Sequence, residues 1–194
     1  MVKNSLLVIL TLTVACSNPK DLSKEELLAY LEEEGNGLVK HASNGDMVSS
    51  LRYKPSSLIA LADLSNTDDQ DSILAYYDQF LYLLLSFSYK ETDLGSHPYL
   101  LPGEKVRYYL GQEVAKDISL RVGGIELDLA DHIHVNMYGS TPSSDVLLVY
   151  KKGTVELGNL EFTVANGPLN MGKGHFEIKQ HDIVSIPRLK LESS

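Results

Sequence analysis

The chain has 194 residues, a formal net charge of −9 at pH 7 and one cysteine. This length suffices for one ordinary domain with its own hydrophobic core, and a lone cysteine excludes a fold held together by internal disulfides. The acidic balance argues against binding to nucleic acid and against electrostatic docking to anionic lipid.

The first 15 residues have the pattern of a signal peptide. Lys3 supplies a positive charge, and an uncharged apolar stretch, SLLVILTLTVA, follows at residues 5 to 15. This stretch is too short to cross a bilayer, which needs about 20 apolar residues. Its polar flank, Ser17-Asn18-Pro19, carries no positive charge. We therefore expect residues 1 to 15 to be a removed targeting segment.

The lone cysteine, Cys16, follows the apolar stretch directly. The sequence LTVAC at residues 12 to 16 resembles the lipobox of bacterial lipoproteins, with Thr13 at a position where that family most often has leucine. The resemblance implies that Cys16 is acylated and becomes the first residue of the mature protein; ordinary secretion and a transmembrane anchor are the alternatives. Several acyl chains on one cysteine hold a protein on a membrane persistently. In that family Ser17 after the cysteine favours the outer membrane, where the domain would face the periplasm or the cell surface.

The remaining chain is predicted to form one globular domain over residues 23 to 194, preceded by a short polar tether at residues 16 to 22. Ser23 and Glu26 form a capping box, which predicts a helix over residues 24 to 34. The other predicted helices cover residues 56 to 64, residues 72 to 79 and a segment from Gly103 in which Val106, Tyr109, Leu110 and Val114 share a face.

Residues 80 to 89, FLYLLLSFSY, are ambiguous between strand and helix. Their length and aromatic content favour a buried central strand, with the preceding helix ending near Gln79; a helix continuing through Leu85 is the alternative. Together with further strand segments, this predicts an α+β fold with short N-terminal helices followed by an antiparallel β-sheet or sandwich-like C-terminal half. The other predicted strands cover residues 47 to 53, 118 to 122, 125 to 129, 133 to 138, 146 to 151, 160 to 164 and 175 to 179.

Several short motifs are distributed along the chain: Asn36-Gly37-Leu38, Tyr53-Lys54-Pro55 with Leu58, the apolar run at residues 81 to 88, Phe176-Glu177-Ile178, Asp182-Ile183 and Pro187. Together these motifs resemble those of a loosely defined group of small, uncharacterised lipoproteins from Bacteroidota-type bacteria. The resemblance spans most of the chain. It implies a cell-envelope lipoprotein and no particular activity.

Metal-binding signatures are weak. The sequence has no H-E-x-x-H or C-x-x-C motif and no phosphate-binding loop. His132 and His134 would point the same way on a strand and could converge on a metal, with Asp131 as a third ligand if the backbone bends. We favour a solvated face of an edge strand for these three residues, and we expect no metal and no cofactor.

Signatures of hydrolytic catalysis are also weak. No G-x-S-x-G motif is present. His181, Asp182 and Ser185 have the residue types of a hydrolytic triad, but adjacent side chains on an extended segment diverge. We therefore predict no catalytic residues.

The aromatic content is mainly tyrosine, with 11 Tyr, 4 Phe and no Trp. Tyrosine suits contact surfaces because it combines an apolar ring with a polar hydroxyl. Tyr99, Tyr108 and Tyr109 lie around a proline-bounded loop and a helix start, and they are the candidates for an exposed contact patch.

These features predict a membrane-anchored cell-envelope lipoprotein with a non-catalytic binding or accessory role. The expected partners are the membrane, through the lipid anchor, and another envelope protein or a glycan. The alternative is an envelope-localised hydrolase whose active site leaves no recognisable spacing. A deep pocket with converging polar groups would favour the enzyme, and a flat tyrosine-rich surface would favour binding.

Overall fold

Two antiparallel sheets and six short helices form the part of the chain described by the computed structural model, which comprises residues 21–64, 69–97, 102–135, 141–168 and 173–191. This arrangement confirms the predicted α+β class. Within these ranges no helix is long and apolar enough to cross a membrane.

The α-helices are α1 (Lys24–Glu32), α2 (Ser56–Ile59), α3 (Leu61–Leu64), α4 (Gln70–Tyr77), α5 (Gly103–Tyr108) and α6 (Gln180–Val184). The capping box predicted for α1 is present: the Ser23 hydroxyl accepts from the Glu26 backbone N–H at 3.2 Å, and the Glu26 carboxylate accepts from the Ser23 backbone N–H at 2.9 Å. α1 ends at Glu32, earlier than the predicted residue 34. The three successive glutamates explain this, because they place negative charge at the negative end of the helix dipole.

The strands, in chain order, are β1 (Val39–Asn44), β2 (Met47–Lys54), β3 (Phe80–Tyr89), β4 (Thr92–Asp93), β5 (Ile118–Val122), β6 (Ile125–Glu126), β7 (Leu129–Val135), β8 (Ser144–Lys151), β9 (Leu160–Val164) and β10 (Gly174–Ile178). The larger sheet has the order β1-β2-β3-β8-β7, with β4 paired to the end of β3, and the smaller sheet has the order β10-β9-β5-β6. β3 therefore lies at the centre of the larger sheet, which confirms the predicted central strand. Leu83 and Leu85 are fully buried on one side of β3, and Tyr82 and Ser86 are nearly fully buried on the other. Burial on both sides agrees with the near-continuous apolar sequence of this strand.

One hydrophobic core lies between the two sheets. Leu83 and Leu148 from the larger sheet and Phe162 and Phe176 from the smaller sheet belong to the same buried cluster. The rings of Phe162 and Phe176 pack with their centroids 6.2 Å apart. Because the core is shared, packing between the two sheets stabilises both of them.

The helical segment after α5 changes pitch along its length. A π-helical turn, Tyr109–Glu113, follows α5, and a 3-10 turn, Val114–Asp117, follows that. This segment packs against β7. The four side chains predicted to share one helix face are all buried: Val106, Tyr109, Leu110 and Val114.

Several strands differ from the prediction. β1 has no predicted counterpart, because its sequence VKHASN is polar and lies at a sheet edge. The predicted strand over residues 125 to 129 is reduced to β6, and β7 begins at Leu129 rather than at Ile133. Because β1 to β4 precede α5, the sheets draw strands from both halves of the chain.

Leu22, which the sequence assigns to the tether, is held against the C-terminal segment. Its backbone N–H donates to the Arg188 carbonyl at 2.9 Å, and its carbonyl accepts from the Lys190 backbone N–H at 2.7 Å. Leu22 and Leu189 thereby form a parallel bridge. The folded domain therefore includes Leu22.

Candidate contact surface

The two sheets present different side chains on the faces that point away from the shared core. On the smaller sheet these side chains are polar. On the larger sheet, whose outward side we call the outer face, many of them are apolar. The polar set on the smaller sheet is Ser119, Arg121, Glu161, Thr163, His175 and Glu177. The apolar set on the outer face is Val48, Phe80, Tyr82, Leu84, Ile133, Val135, Leu147 and Val149.

A row of apolar side chains crosses the outer face. Leu84 pairs with Leu147, and Leu147 pairs with Ile133, so the three side chains lie next to one another on adjacent strands. We call these three residues the apolar row. Leu84 and Leu147 are half-buried, and Ile133 is 50% exposed. Large contiguous apolar patches mark contact surfaces in soluble proteins, which makes the apolar row the candidate on this face.

An arginine on β2 flanks the apolar row. The Arg52 guanidinium donates to the Ser50 and Ser86 hydroxyls, each at 3.0 Å, and to the Glu32 carboxylate at 2.8 Å. The Lys54 ammonium lies 3.3 Å from the other Glu32 oxygen. Partial burial acts to raise the pKa of Glu32, but Arg52 and Lys54 outweigh it and the pKa is lowered. Glu32 is therefore ionised at neutral pH and holds the guanidinium in place.

Four aromatic rings pack together where α4 leads into β3. Their ring centroids are 5.5 Å apart for Tyr76 and Tyr77, 5.8 Å for Tyr76 and Phe80, 6.3 Å for Tyr77 and Tyr82, and 6.4 Å for Phe80 and Tyr82. We call these four residues the aromatic cluster. The Tyr77 hydroxyl donates to the Asp63 carboxylate at 2.6 Å. Burial, followed by the neighbouring tyrosines, raises the pKa of Tyr82 to about 12, so its hydroxyl stays neutral at physiological pH.

Of the tyrosines predicted to form a contact patch, Tyr108 and Tyr109 are described, and they point in different directions. Tyr108 is exposed, whereas Tyr109 is buried and its hydroxyl donates to the Asp117 carboxylate at 2.7 Å. The assignment of Tyr109 to an exposed patch is therefore wrong. Tyr109 belongs to the buried face that also contains Val106 and Leu110, whereas Tyr108 lies about 100° away from it around the helix axis. Tyr99 and the lipidation candidate Cys16 lie outside the described residues.

The sequence-based prediction contains neither the apolar row nor the aromatic cluster. Tyr76 and Tyr77 recur at helical spacing, and Tyr82 lies in an apolar strand, so each has the pattern of an ordinary packing residue. One signal could have revealed the cluster: four aromatic residues fall between residues 76 and 82. The apolar row left no such signal, because its members come from three strands.

His132 and His134 share one face of β7, as their spacing predicts, but that face is turned toward the core. His134 Nδ1 lies 3.0 Å from the Asp145 carbonyl oxygen, and His132 Nε2 is buried without a hydrogen-bond partner among the described residues. Asp131 lies on the opposite face, where its carboxylate accepts from the His132 backbone N–H at 2.8 Å. The expected solvated histidine face is therefore wrong, because the π-helical turn after α5 packs against β7. In the described ranges no three side chains of metal-ligand type converge.

His181 and Asp182 contact each other directly, with Nε2 2.8 Å from Oδ1. The expected divergence on an extended segment is wrong because these residues form α6. The Ser185 hydroxyl donates to the His181 carbonyl oxygen at 2.6 Å rather than to the imidazole. An added Cβ at Gly37 would collide with the Asp182 carboxylate, so this carboxylate packs against the turn after α1. The arrangement does not place Ser185 as a nucleophile for His181.

Comparison of the chain with protein-family models, with curated proteins and with solved structures found no match. The geometry of the described residues is therefore the basis for assigning a function to the domain. An apolar row flanked by arginine and tyrosine has the composition typical of the centre of a protein contact surface.

Proposed function

We propose that the chain is a lipid-anchored protein of the bacterial cell envelope whose domain has a non-catalytic binding role. The anchor is supported by Cys16 and its resemblance to a lipobox, and the outer membrane is supported by Ser17. The binding role is supported by one observation above all, the apolar row on the outer face, in which Leu84 and Leu147 are half-buried and Ile133 is 50% exposed. Contiguous apolar side chains on a protein surface are a feature of sites that contact another molecule.

The chemistry of the outer face favours another envelope protein over a glycan as the partner. The apolar row offers area that releases water on contact, which stabilises a complex by about 25 cal/mol per Å² buried. Arg52 is already held by Glu32 and two serine hydroxyls, so little side-chain entropy is lost when a partner contacts it. A glycan would instead require many exposed hydrogen-bonding groups, and the centre of the outer face offers few.

The anchor can be tested by metabolic labelling with a fatty-acid probe in the bacterial host. The wild-type chain should incorporate the label and sediment with membranes. Cys16→Ser should lose both properties, because it removes the thiol that is acylated. Ser17→Ala is the matched control and should keep the label. A Cys16→Ser chain that still carries the label would overturn the anchor.

The contact surface can be tested by crosslinking in intact cells. Ile133→Glu places a charge in the apolar row and should abolish a complex that the wild-type chain forms. Thr163→Glu adds the same charge at an exposed position of the smaller sheet and should leave the complex intact. Both variants should unfold near the wild-type urea concentration, since both positions are exposed. Equal effects of the two substitutions would remove the outer face from consideration.

A further inference from the structure

The charged side chains of the outer face are separated by sign. Toward β2, Arg52 and Lys54 share a single carboxylate, that of Glu32, which leaves a net positive charge. Toward β7, the outward charged side chains are Asp131 and Asp145, and within the described ranges no salt bridge joins either of them to a cation. The apolar row therefore lies between a positive side and a negative side.

The strand register aligns these charges with the apolar row. The apolar row is continued on β2 by Arg52, which pairs with Leu84. The next row of paired residues crosses the same four strands in the order Lys54, Tyr82, Val149, Asp131. This second row thus begins with a cation on β2 and ends with an anion on β7.

Two copies of this face are complementary about a two-fold axis that runs parallel to the strands and passes between β3 and β8. The axis reverses the strand order, so β2 of each copy lies over β7 of the other. Leu84 then lies over Leu147 of the second copy, and Lys54 lies over Asp131 of the second copy. Each contact occurs twice, because a two-fold interface uses the same surface of both copies.

The charges select this axis over the other one that would stack the two faces. An axis perpendicular to the strands, along the apolar row, would place Lys54 over Ser50 of the second copy. It would also place Asp131 over Val135 of the second copy, so each charge would meet a neutral side chain. Only the axis parallel to the strands brings opposite charges together.

Arg52 has hydrogen-bond donors available for such a contact. Its Nε donates to Glu32 and its Nη1 donates to two serine hydroxyls, whereas Nη2 has no hydrogen-bond partner in the part of the chain that the structure describes. Asp131 uses Oδ1 to accept from the His132 backbone N–H, and its second oxygen is left to accept from a cation. Arg52 and Lys54 can therefore both reach Asp131 of a second copy.

The size and charge of the molecule make this contact weak. Four strands about 4.8 Å apart and three paired positions about 6.8 Å apart span roughly 400 Å² on the outer face, whereas a standard interface buries about 800 Å² per partner. The net charge of −9 on each copy also opposes association. Anchorage of both copies in one membrane would offset this weakness by raising their effective concentration.

We propose that the partner at the outer face is a second copy of this chain, bound in a two-fold dimer in which the two apolar rows pack together. The inference rests on the proposed function, because it names the partner at that surface. An unrelated protein would have to supply its own apolar row with the charges in reversed order, whereas a second copy supplies both.

The test uses two differently tagged forms of the full chain, expressed together in the bacterial host and crosslinked in intact cells. The two tags should be joined in wild-type cells, and Ile133→Glu in both forms should remove this product. If Ile133→Glu removes a complex with another protein and the two tags are never joined, the proposed function stands and the dimer is overturned. If Ile133→Glu changes no complex, both the proposed function and the dimer are overturned.

Charge reversal tests the arrangement of the two copies. Asp131→Lys places lysine opposite Lys54, and Lys54→Glu places glutamate opposite Asp131, so each variant should crosslink to itself about tenfold less than the wild type does. Coexpression of Asp131→Lys with Lys54→Glu should restore the wild-type yield, because every charged contact across the mixed pair then joins opposite charges. Recovery in the mixed pair also shows that both variants are folded.

The matched control is Thr163→Lys, which adds a cation on the outward side of the smaller sheet. This variant should crosslink to itself like the wild type. A mixed pair that does not recover would overturn the two-fold arrangement. An equal loss in Thr163→Lys would also overturn it, since the loss would then follow the total charge of the chain rather than its position.

Discussion

The outward faces of the two sheets differ although the inward faces share one core. Along β9, buried apolar residues alternate with Glu161 and Thr163, so burial and polarity change together. Along β8, buried residues alternate with Leu147 and Val149, so burial alternates but polarity does not. An outward face that water alone contacts has no need of apolar side chains. The difference is the basis for the proposal that the outer face of the larger sheet contacts a partner.

The largest predicted effect is the difference in stability between alanine variants of two neighbouring leucines on β8, Leu147 and Leu148. Leu148→Ala should lower the free energy of unfolding by about 2 to 5 kcal/mol, because it leaves a cavity in the core. Leu147→Ala should lower it by about 1 kcal/mol or less, because this side chain on the outer face is only half-buried. Urea denaturation measures the free energy of unfolding of both variants. Leu160 is buried in the smaller sheet, so Leu160→Ala should lower this free energy by about as much as Leu148→Ala. Equal losses for Leu147 and Leu148 would mean that the outer face is already buried within the protein.

A second prediction is that the free energy of unfolding falls at alkaline pH, because two tyrosines of the larger sheet then lose their protons. Burial raises the pKa of Tyr53 and of Tyr82 from 10.0 to about 12. A raised pKa means that the folded state keeps a proton that the unfolded chain releases, so stability is intact below pH 10 and is lost as the pH rises toward 12. Each unit of difference corresponds to about 1.4 kcal/mol, so the two residues together account for a few kcal/mol.

Urea denaturation as a function of pH checks this prediction. Tyr53→Phe and Tyr82→Phe should each flatten the decline, because phenylalanine does not titrate. Tyr108→Phe, at an exposed position, is the control and should leave the decline unchanged. Burial also raises the pKa of Tyr109 and of Tyr150, so a smaller decline that persists in the double Phe variant would come from these two residues.

Local signals in the sequence predict much of the fold. The capping box at Ser23 and Glu26 is present, and the strands at residues 118 to 122 and 160 to 164 have the predicted bounds. β3 is predicted because a strand buried on both sides needs a continuous apolar run. β1 is missed because an edge strand is stabilised by its pairing with β2 rather than by its own polar side chains.

The candidate sites are less predictable because they depend on residues brought together by folding. Leu84, Leu147 and Ile133 come from three strands, and no local pattern records that they are neighbours. Tyr109 is misassigned because the sequence does not say which of two adjacent tyrosines faces the core. A leucine has the same hydropathy on the outer face of β3 or β8 as in the core, so hydropathy alone cannot distinguish the outer face from the core.

A third prediction concerns an unpaired hydroxyl on the inward side of the larger sheet. The Tyr150 hydroxyl is buried without a hydrogen-bond partner among the described residues. Tyr150→Phe should raise the free energy of unfolding by about 1 kcal/mol, because it removes a buried polar group that is not satisfied. Tyr109→Phe is the matched control with the opposite sign, since the Tyr109 hydroxyl donates to Asp117. A loss of stability in Tyr150→Phe would show that water or another group satisfies this hydroxyl.

The smallest predicted effect concerns the arginines on the two outward faces, which are held by different partners. Arg121 on the smaller sheet donates to its own hairpin at the Gly124 carbonyl, whereas Arg52 on the outer face is held by Glu32 from α1. Glu32→Gln should lower the free energy of unfolding by less than about 1 kcal/mol, since the carboxylate is half exposed and screened by salt.

The pKa of Glu32 is lowered from 4.5, so its contribution is present above pH 4.5 and disappears as the pH falls through the folded value. The difference between wild type and variant should therefore shrink in acid and in high salt, measured by urea denaturation. Glu33→Gln removes a neighbouring exposed carboxylate as the control, and an equal loss in that variant would mean that Glu32 does not hold Arg52 in place.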